Sequence, residues 1–377
     1  MAIWFFGGIS MLIIIQEIAI EDILTGNPKD LEDFEDFISL HQKMIHYIGA
    51  SKVIIDRLIN DLDSKVSNRT LQTLKQIKTQ SHELESIRSE LSMYSILRPT
   101  LGMTIRRTEN EGKSVWELGI KAAIKWLSQP LKLYGEHLID SNIFKRAAVH
   151  YAESKPFGQR MVNAITEMTG GCGNADIVLK ERFNDAISPT LLIIDSDKLS
   201  PDHVGSAAIQ KCKNIITSNE GLVHFHCIEE REIENFIPLP LIKKTIESLE
   251  KTTNIDSMLV NYQRLESFFN LHPNHYKYID LKDGTCTAWV KSKSECVKIF
   301  YNEIPQTEER CTCSKGCTGH YLVHPLCKNL LNHFFNYFNN SENNRAIKHL
   351  SNKLPNQWNK FSQLIFSMAF CNKIRVT

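Results

Sequence analysis

The hydrophobic pattern is clearest between residues 131 and 245, where short apolar runs alternate with longer stretches that carry apolar residues at helical spacing. The strongest run is Thr190–Ile194, five consecutive apolar or β-branched residues followed by Asp195, Ser196 and Asp197. An unbroken run of this kind is typical of a strand buried on both faces, as in a parallel sheet covered by helices. The alternation predicts an α/β domain with a central parallel sheet and right-handed crossovers.

The predicted elements of this domain follow one another in regular order. We expect strands at residues 131–135, 161–168, 190–194 and 222–228, and helices at 141–153, 175–186 and 205–218. Ser141 or Asn142 is expected to cap the first helix, and the Gly170-Gly171-Cys172-Gly173 turn closes the second strand. Four cysteines are interpreted as small buried residues: Cys172, Cys212, Cys227 and Cys371.

The flanking regions have a different pattern. Residues 1–130 are predicted to be mainly helical, with a long helical stretch over 27–97 and a short strand pair, Met103–Ile105 and Val115–Leu118, around a turn at Gly112. Residues 246–377 are predicted to hold helices, a short β-like stretch at 276–281 and 288–291, a Cys/His-rich loop and aromatic helices at 330–338 and 358–370. The sequence thus predicts three regions, 1–130, 131–245 and 246–377, of which the first would serve partner binding or dimerisation.

Composition narrows the class of protein. The chain has 377 residues, a formal net charge of +1 and ten Cys. The uncharged run Ala2–Ile15 is shorter than the roughly 20 residues that span a bilayer, and no basic residues precede it as they would in a signal peptide. We therefore interpret it as buried core, without membrane contact. Thiols without a secretory signal favour a cytoplasmic protein.

The charge is unevenly distributed along the chain. From Tyr321 to the C-terminus there are seven Lys or Arg residues and one Glu. Such a basic segment could lie along a polyanion such as nucleic acid, or it could be a solvated helical face.

Acidic residues follow three of the predicted strands. Because the carboxyl ends of parallel strands meet at one edge of a sheet, we expect these side chains to converge there. Carboxylate oxygens are the ligands that Mg²⁺ and Mn²⁺ prefer, and two such ions about 4 Å apart can stabilise both oxygens of a phosphoryl displacement. The competing interpretation is that Asp195-Ser196-Asp197 is only a helix-capping turn. The candidate metal ligands are Glu136, Asp140, Asp195, Asp197, Glu232 and Glu234.

A second cluster combines thiols and imidazoles in the C-terminal region. Six candidate ligands lie within 17 residues, which is more than the four that a structural Zn²⁺ needs, and Gly316 and Gly319 permit tight turns. The spacing is not one of the standard finger patterns, so a zinc site and a loop of free thiols with incidental histidines both stay open. The six residues are Cys311, Cys313, Cys317, His320, His324 and Cys327.

The order of elements, with these acidic residues, resembles the Toprim domain of topoisomerases, primases and OLD-type nucleases. The spacing Glu136-x-x-x-Asp140 looks like the first acidic motif of that family, and Asp195-Ser196-Asp197 looks like its Asp-x-Asp motif. The Gly170–Gly173 turn and the run Arg231-Glu-Ile-Glu-Asn are most similar to OLD-type and related proteins of bacterial defence systems. The resemblance covers residues 131–244. His137 stands where the family usually has Gly.

The resemblance implies roles for individual residues. Glu136 would be a metal ligand or general base, Asp195 and Asp197 would be metal ligands, and Lys198 would contact a phosphate. Asp140 with Glu232 or Glu234 would complete a second metal site. The implied function is a Mg²⁺- or Mn²⁺-dependent nuclease acting on DNA or RNA, as the effector of an anti-phage defence system. Because the sequence contains no Gly-x-x-x-x-Gly-Lys-Ser/Thr loop, an ATPase or sensor would be a separate protein.

Two other functions stay open. A primase-like nucleotidyl transferase would use the same metal site and would bind nucleoside triphosphates. A non-catalytic adaptor would keep the acidic residues without their chemistry and would dock a sensor partner through its N-terminal region. The presence of His137 in place of Gly favours the adaptor.

Overall fold

The computed structural model describes residues 11–26, 28–43, 46–155, 161–249, 255–311, 319–344, 346–347 and 356–371. It is a mixed α/β structure with two sheets of parallel or mostly parallel strands, and one continuous hydrophobic core extends from Met11 to Phe370. The three regions predicted from the sequence share this core. Among the described residues, the structure contains no helix with the length and apolar character needed to cross a membrane.

The N-terminal region contains a five-stranded sheet with helices packed on it. The strands lie in the order β2-β1-β3-β5-β4, and all pairs are parallel except β4 with β5. Its elements are β1 (Leu12–Ile14), α1 (Glu17–Leu24), α2 (Pro28–Gln42), β2 (Tyr47–Gly49), α3 (Lys52–Leu62), α4 (Asn68–Gln80), α5 (Leu84–Glu90), β3 (Met93–Leu97), β4 (Ile105–Asn110), β5 (Lys113–Leu118) and α6 (Ile120–Trp126).

The structure corrects the helical stretch predicted over residues 27–97. Helices predominate there, but β2 and β3 interrupt them, and both strands are fully buried in the sheet. A strand of three to five buried residues is too short to show its own periodicity between amphipathic helices. The antiparallel pairing predicted around Gly112 is found between β4 and β5, but β4 covers Ile105–Asn110 and overlaps the predicted strand Met103–Ile105 only at Ile105. Within the predicted apolar run 2–15, residues 11–15 are buried, and residues 2–10 lie outside the described part of the chain.

A buried histidine ties this sheet to the helix that leads into the next region. The Met11 N–H donates to His46 Nδ1 at 3.0 Å, and His46 Nε2 lies 2.9 Å from the Leu127 carbonyl oxygen. This pairing requires the neutral ring with its proton on Nε2. Burial lowers the pKa of His46 to about 3, although the contact with Leu127 raises it slightly. His46 therefore folds as a neutral residue.

We expect the His46→Gln variant to lose less free energy of unfolding on acidification than the wild type loses. The unfolded chain protonates His46 below its ordinary pKa of 6.5, whereas the folded chain does not until pH about 3. The stability that the neutral ring contributes is therefore present above pH 6.5 and is lost as the pH falls below it. Between pH 7.5 and pH 5.5 the wild type should lose about 1.4 kcal/mol that the variant keeps. Urea unfolding at both pH values measures this difference.

The control is His82→Gln, because the His82 side chain is 75% exposed and its removal should change the stability little at either pH. A stability difference between wild type and His46→Gln that is the same at the two pH values would contradict the prediction.

The second sheet matches the predicted α/β domain. Four parallel strands lie in the order β10-β9-β6-β8, so β9, the Thr190–Ile194 run, is interior and all five of its residues are buried. The elements are β6 (Leu131–Gly135), α7 (Leu138–Glu153), β7 (Met161–Val162), β8 (Ala164–Met168), α8 (Ala175–Asp185), β9 (Thr190–Ile194), α9 (Ala207–Ser218), β10 (Val223–Cys227), α10 (Ile233–Phe236) and α11 (Leu239–Glu247). The central parallel sheet is confirmed.

The first helix of this domain begins earlier than predicted. Helix α7 begins at Leu138, and its N-cap is His137. The backbone N–H of His137 donates to the Asp140 side chain as part of a capping box. The prediction of Ser141 or Asn142 as the cap is therefore wrong. Histidine is not among the preferred N-cap residues, so the sequence pattern drew attention to the polar residues one turn later.

The C-terminal region completes the cover of the second sheet. Helix α17 packs on α7, with the Phe144 and Phe361 rings 5.2 Å apart, and β13 pairs with β7. The elements are α12 (Ile255–Leu271), α13 (Pro273–Tyr276), β11 (Thr285–Cys286), α14 (Thr287–Lys291), α15 (Glu295–Tyr301), β12 (Tyr321–Val323), α16 (Leu330–Asn339), α17 (Asn356–Ala369) and β13 (Phe370–Cys371). The aromatic helices are confirmed.

The predicted β-like stretch at 276–281 and 288–291 is wrong. Residues 273–276 and 287–291 are helical, and the strand that forms nearby is β11, which pairs antiparallel with β12. The partner strand is remote in sequence, so no local pattern could reveal the pairing.

Candidate functional site

Two carboxylates meet where neighbouring parallel strands end. Glu136 follows β6 and Asp195 follows β9, and the Asp195 N–H donates to Glu136 Oε1 at 3.2 Å. Because β6 and β9 are adjacent and parallel, their carboxyl ends bring these residues together. The predicted convergence is therefore found for Glu136 and Asp195.

Two glycine features hold the Glu136 backbone in place. A Cβ on Gly135 would lie 2.8 Å from both the Asp140 Cβ and the Ser141 nitrogen, so only glycine lets the first turn of α7 approach the end of β6. The N–H groups of Gly170 and Gly171 donate to the Glu136 carbonyl oxygen at 3.1 and 3.2 Å. Both glycines have left-handed φ angles, +74° and +108°, which residues with a Cβ rarely adopt. The glycine turn therefore supports the acidic edge.

We expect Gly135→Ala to lower the free energy of unfolding by about 1–3 kcal/mol, the usual range for overpacking, because the added Cβ would force backbone atoms in the first turn of α7 to shift. The same shift would displace Glu136. The matched control is Gly173→Ala, since no atom lies within 4 Å of a Cβ built there. Equal urea midpoints for the two variants would refute the packing argument.

Burial and neighbouring negative charges raise the pKa of Glu136 and that of Asp195. Burial raises the pKa of Glu136, and the nearby charges of Asp197 and Asp140 raise it further. Burial also raises the pKa of Asp195 well above its usual range, and Glu136 is the strongest of the neighbouring charges that add to the effect. Within the described residues, no lysine or arginine forms an ion pair with Glu136, Asp195 or Asp197. A cation bound here would relieve this repulsion.

The turn after β9 is shaped by its own contacts and does not cap a helix. Asp197 has a φ of +53° and donates its N–H to the Arg231 carbonyl oxygen at 3.0 Å. The Ser196 hydroxyl donates to the Glu230 carbonyl oxygen at 2.7 Å. Helix α9 begins only at Ala207, with Ser206 as its N-cap. The helix-capping interpretation of Asp195-Ser196-Asp197 is therefore wrong.

Asp140 is partly engaged elsewhere. Its Oδ2 accepts the His137 N–H at 2.8 Å as part of the capping box. Its Oδ1 is buried and has no hydrogen-bond partner among the described residues. Burial raises the pKa of Asp140. One oxygen of this carboxylate is thus structural, and the other is buried without a hydrogen-bond partner among the described residues.

Glu232 and Glu234 already have a cation of their own. Lys282 Nζ lies 2.6 Å from Glu234 Oε1 and 3.4 Å from Glu232 Oε2, and Arg231 Nε lies 3.3 Å from Glu232 Oε1. Burial by itself would lower the pKa of Lys282. The negative charges of Glu234 and Glu232 have the larger effect, so the pKa of Lys282 is raised overall. Sequence reasoning missed Lys282, because it enters the acidic edge from a loop of the C-terminal region and no nearby motif marks it.

Lys198 and Cys172 border the site from the side of Asp197. Lys198 Nζ lies 3.4 Å from the Pro201 carbonyl oxygen, and the residue lines a cavity of about 600 Å³ together with Lys213 and Tyr278. The Cys172 thiol lies 3.6 Å from the Ser206 hydroxyl. Burial raises the pKa of this thiol, and the charges of Glu136 and Asp197 raise it further. Cys172 is only partly buried, so its interpretation as a plain core residue is wrong.

The described residues of the Cys/His cluster do not come together as one group. His320 Nδ1 lies 3.1 Å from the Thr307 carbonyl oxygen, and His324 Nδ1 lies 3.6 Å from the Glu309 carboxylate. Cys327 packs against the main core, whereas Cys311 packs in a separate small cluster with Cys286 and Tyr321. Cys313 and Cys317 lie outside the described residues.

No three His, Cys, Asp or Glu side chains of the described residues stand close enough together to hold a metal ion as they are placed. Comparisons with protein-family models, with curated proteins and with solved structures each return no match for this chain. The chemistry of the acidic edge therefore has to be inferred from its own residues.

Proposed function

We propose that this chain is a divalent-metal-dependent nuclease that hydrolyses phosphodiester bonds of DNA or RNA at the edge formed by Glu136, Asp195 and Asp197. The hydrogen bond from the backbone N–H of Asp195 to Glu136 Oε1 is the observation that supports it most, because it places two acidic residues side by side at the carboxyl end of a parallel sheet, where the charge of Glu136 raises the pKa of Asp195. Such an edge is where α/β proteins bind their ligands.

The donor set fits a hard cation. All candidate ligands are carboxylate oxygens, and the partnerless Oδ1 of Asp140 adds a further one close to Glu136. Mg²⁺ usually keeps several waters and takes only one or two carboxylates together with substrate phosphate, so a preformed cage is not required. Bound Mg²⁺ or Mn²⁺ would polarise the phosphate and favour ionisation of a bound water.

The side chains of the chain have distinct roles in this proposal. Asp195 and Asp197 would hold the cation, and Glu136, whose pKa is raised by burial and by Asp197, suits either a ligand or a proton acceptor. Lys198, which lines the cavity that also contains Lys213 and Tyr278, would contact a phosphate of the substrate. Glu234 is paired with Lys282, and Glu232 is paired with Lys282 and Arg231, which narrows the expected ligand set to Glu136, Asp140, Asp195 and Asp197.

The resemblance to Toprim proteins of the OLD type supports the same proposal. The features that support the proposal are the alternation of strands and helices from β6 to β10 and the acidic residues after β6 and β9. We extend the nuclease proposal by one step: the chain would be the effector of an anti-phage defence system and would work with a separate sensor or ATPase. The N-terminal region, with its own sheet, is the part that would contact this partner or a second copy of the chain.

A non-catalytic adaptor is the second candidate. Three of the six predicted carboxylates are held by contacts within the protein: Asp140 by the capping box, and Glu232 and Glu234 by Lys282. An adaptor of this kind would bind no metal at the acidic edge.

The test is incubation of plasmid DNA and of structured RNA with the full chain and Mg²⁺ or Mn²⁺, with calorimetric titration of Mn²⁺ in parallel. We expect metal-dependent loss of one polymer and binding of Mn²⁺. Binding of Mn²⁺ without cleavage would point to a nuclease that needs its partner. Neither binding nor cleavage would reject the nuclease and favour the adaptor. Incorporation of labelled nucleotides would instead identify a nucleotidyl transferase.

A further inference from the structure

Strand β4 forms one edge of the N-terminal sheet and is exposed along nearly its whole length. It pairs with β5 on one side, and no strand of the described residues pairs with its other side. Every residue from Arg106 to Asn110 is exposed. A strand with one unpaired side presents a row of backbone N–H and C=O groups that can pair with a further strand. This side of β4 is therefore a surface to which another chain could add a strand.

The pairing with β5 decides which residues of β4 turn their backbone groups outward. The Gly119 N–H donates to the Thr104 carbonyl oxygen at 3.0 Å, so the backbone of Thr104 faces β5. Antiparallel strands alternate between residues that are hydrogen-bonded to the partner and residues that are not. The even-numbered residues of β4 therefore bond to β5, whereas the N–H and C=O groups of Arg107 and Glu109 point to the unpaired side.

These two residues carry opposite charges. They lie two positions apart on the strand, so their side chains share one face of the sheet. Arg107 donates to the Ser114 hydroxyl at 3.2 Å, and within the described part of the chain neither Arg107 nor Glu109 belongs to an ion pair. Both charges are thus exposed and available to a strand that pairs with this side of β4.

A second copy of β4 complements these charges in one register. Two identical antiparallel strands are related by a twofold axis, and outward-facing backbone groups meet only if this axis passes through a residue. An axis through Arg106 or Arg107 sets two arginines opposite each other, and an axis through Glu109 sets two glutamates opposite each other. An axis through Thr108 sets Arg107 of each copy opposite Glu109 of the other copy. Cross-strand pairs of opposite charge stabilise a sheet, and so do threonine pairs.

We propose that two copies of this chain associate through antiparallel pairing of β4 about Thr108, so that their N-terminal sheets form one continuous sheet. Each pair of Arg107 and Glu109 would exchange backbone hydrogen bonds and also bring opposite charges together. Exposed charges can also protect an edge strand from pairing, but protection requires no complementarity between two copies of the strand. The proposal does not rest on the nuclease function, because β4 lies outside the acidic edge and an adaptor could dimerise in the same way.

The first experiment is sedimentation velocity of the full chain over a range of concentrations. We expect the wild type to be a dimer that dissociates on dilution. Glu109→Arg sets two arginines opposite each other and should raise the dissociation constant of the dimer at least about tenfold, as should Arg107→Glu. The control is Arg106→Gln, because Arg106 would face the uncharged Asn110 of the second copy, and it should leave the dissociation constant unchanged. A monomeric wild type, or a dimer that Glu109→Arg does not weaken, would overturn the proposal.

The second experiment mixes the two charge variants. Arg107→Glu has two glutamates at the paired positions and Glu109→Arg has two arginines, so each variant complements the other and repels itself. Both positions are exposed, so the substitutions should leave the fold intact. We expect a heterodimer in the mixture at concentrations at which each variant alone is a monomer. A mixture that contains only monomers would contradict the proposed register.

The third experiment tests the position of the axis. In Thr108→Cys the two introduced thiols would lie directly opposite each other, where Cβ atoms are about 5 Å apart, so mild oxidation should join them. In Arg106→Cys the introduced thiols would lie about 13 Å apart along the strands and should not be joined. Mass spectrometry of the peptides would identify the disulfide. Equal cross-linking of the two variants, or none in Thr108→Cys, would refute pairing about Thr108.

Discussion

Asp195→Asn is expected to lower metal-dependent cleavage by at least about 10²-fold, and to make the metal-free chain more stable at neutral pH. The two effects have one cause. Asp195 lies among like charges in a buried setting that raises its pKa, so its ionised form weakens the folded state until a cation binds. The amide removes both this repulsion and the ligand. Cleavage rates and urea unfolding without metal measure the two effects.

The sign of the stability effect follows from the direction of the pKa shift. An aspartate whose pKa is raised on folding binds protons more readily in the folded chain than in the unfolded chain. Its unfavourable contribution is therefore complete above the raised pKa, shrinks as the pH falls below it, and is gone below the ordinary pKa of aspartate. The advantage of Asp195→Asn should therefore shrink on acidification. Mn²⁺ should stabilise the wild type and not the variant.

The control is Glu167→Gln. Glu167 lies near the carboxyl end of β8 in the same sheet and is paired with Lys132 at 3.9 Å, outside the cluster of Glu136 and Asp195. The Glu167→Gln variant should cleave as fast as the wild type and should be stabilised by Mn²⁺ to the same extent. The Glu136→Gln variant, by contrast, should behave like Asp195→Asn. Wild-type cleavage in both Glu136→Gln and Asp195→Asn would exclude the proposed catalytic edge.

Lys282→Met is expected to lower the free energy of unfolding by about 2–3 kcal/mol. Removing one partner of a buried ion pair costs about 3–5 kcal/mol, because the other charge stays buried without compensation. The Glu234 side chain is 1% exposed, but that of Lys282 is 41% exposed, so water screens the pair and the loss should be smaller. Urea unfolding at pH 7.5 provides the measurement.

Two comparisons separate this charge effect from a loss of packing. Lys328→Met makes the same substitution at a lysine whose side chain is 82% exposed, and it should change the stability little. In the double variant Lys282→Met/Glu234→Gln the uncompensated charge is gone, so most of the lost stability should return. A double variant that is as unstable as Lys282→Met would show that the ammonium group is not what stabilises Glu234.

The α/β domain could be predicted because its signals are local. The β9 strand is an unbroken apolar run, and the alternation of strands with amphipathic helices is recorded within each short stretch of sequence. The strands β2 and β3 escaped prediction because a few buried residues between helices carry no period of their own. Their place was decided by pairing with β1 in the sheet.

The candidate site, like the fold, could be predicted from the sequence only in part. A parallel sheet places the residues after β6 and β9 at one edge, so the sequence determined that Glu136 and Asp195 would lie together. Only the tertiary structure decided which carboxylates remain available, because Lys282 reaches Glu234 from a distant part of the chain. Cys286 likewise packs in a small cluster with Cys311 and Tyr321, and it is paired with Tyr321 across two strands that are remote in sequence. Local patterns specify where strands end, whereas the partners of a buried charge or thiol depend on contacts that no local pattern records.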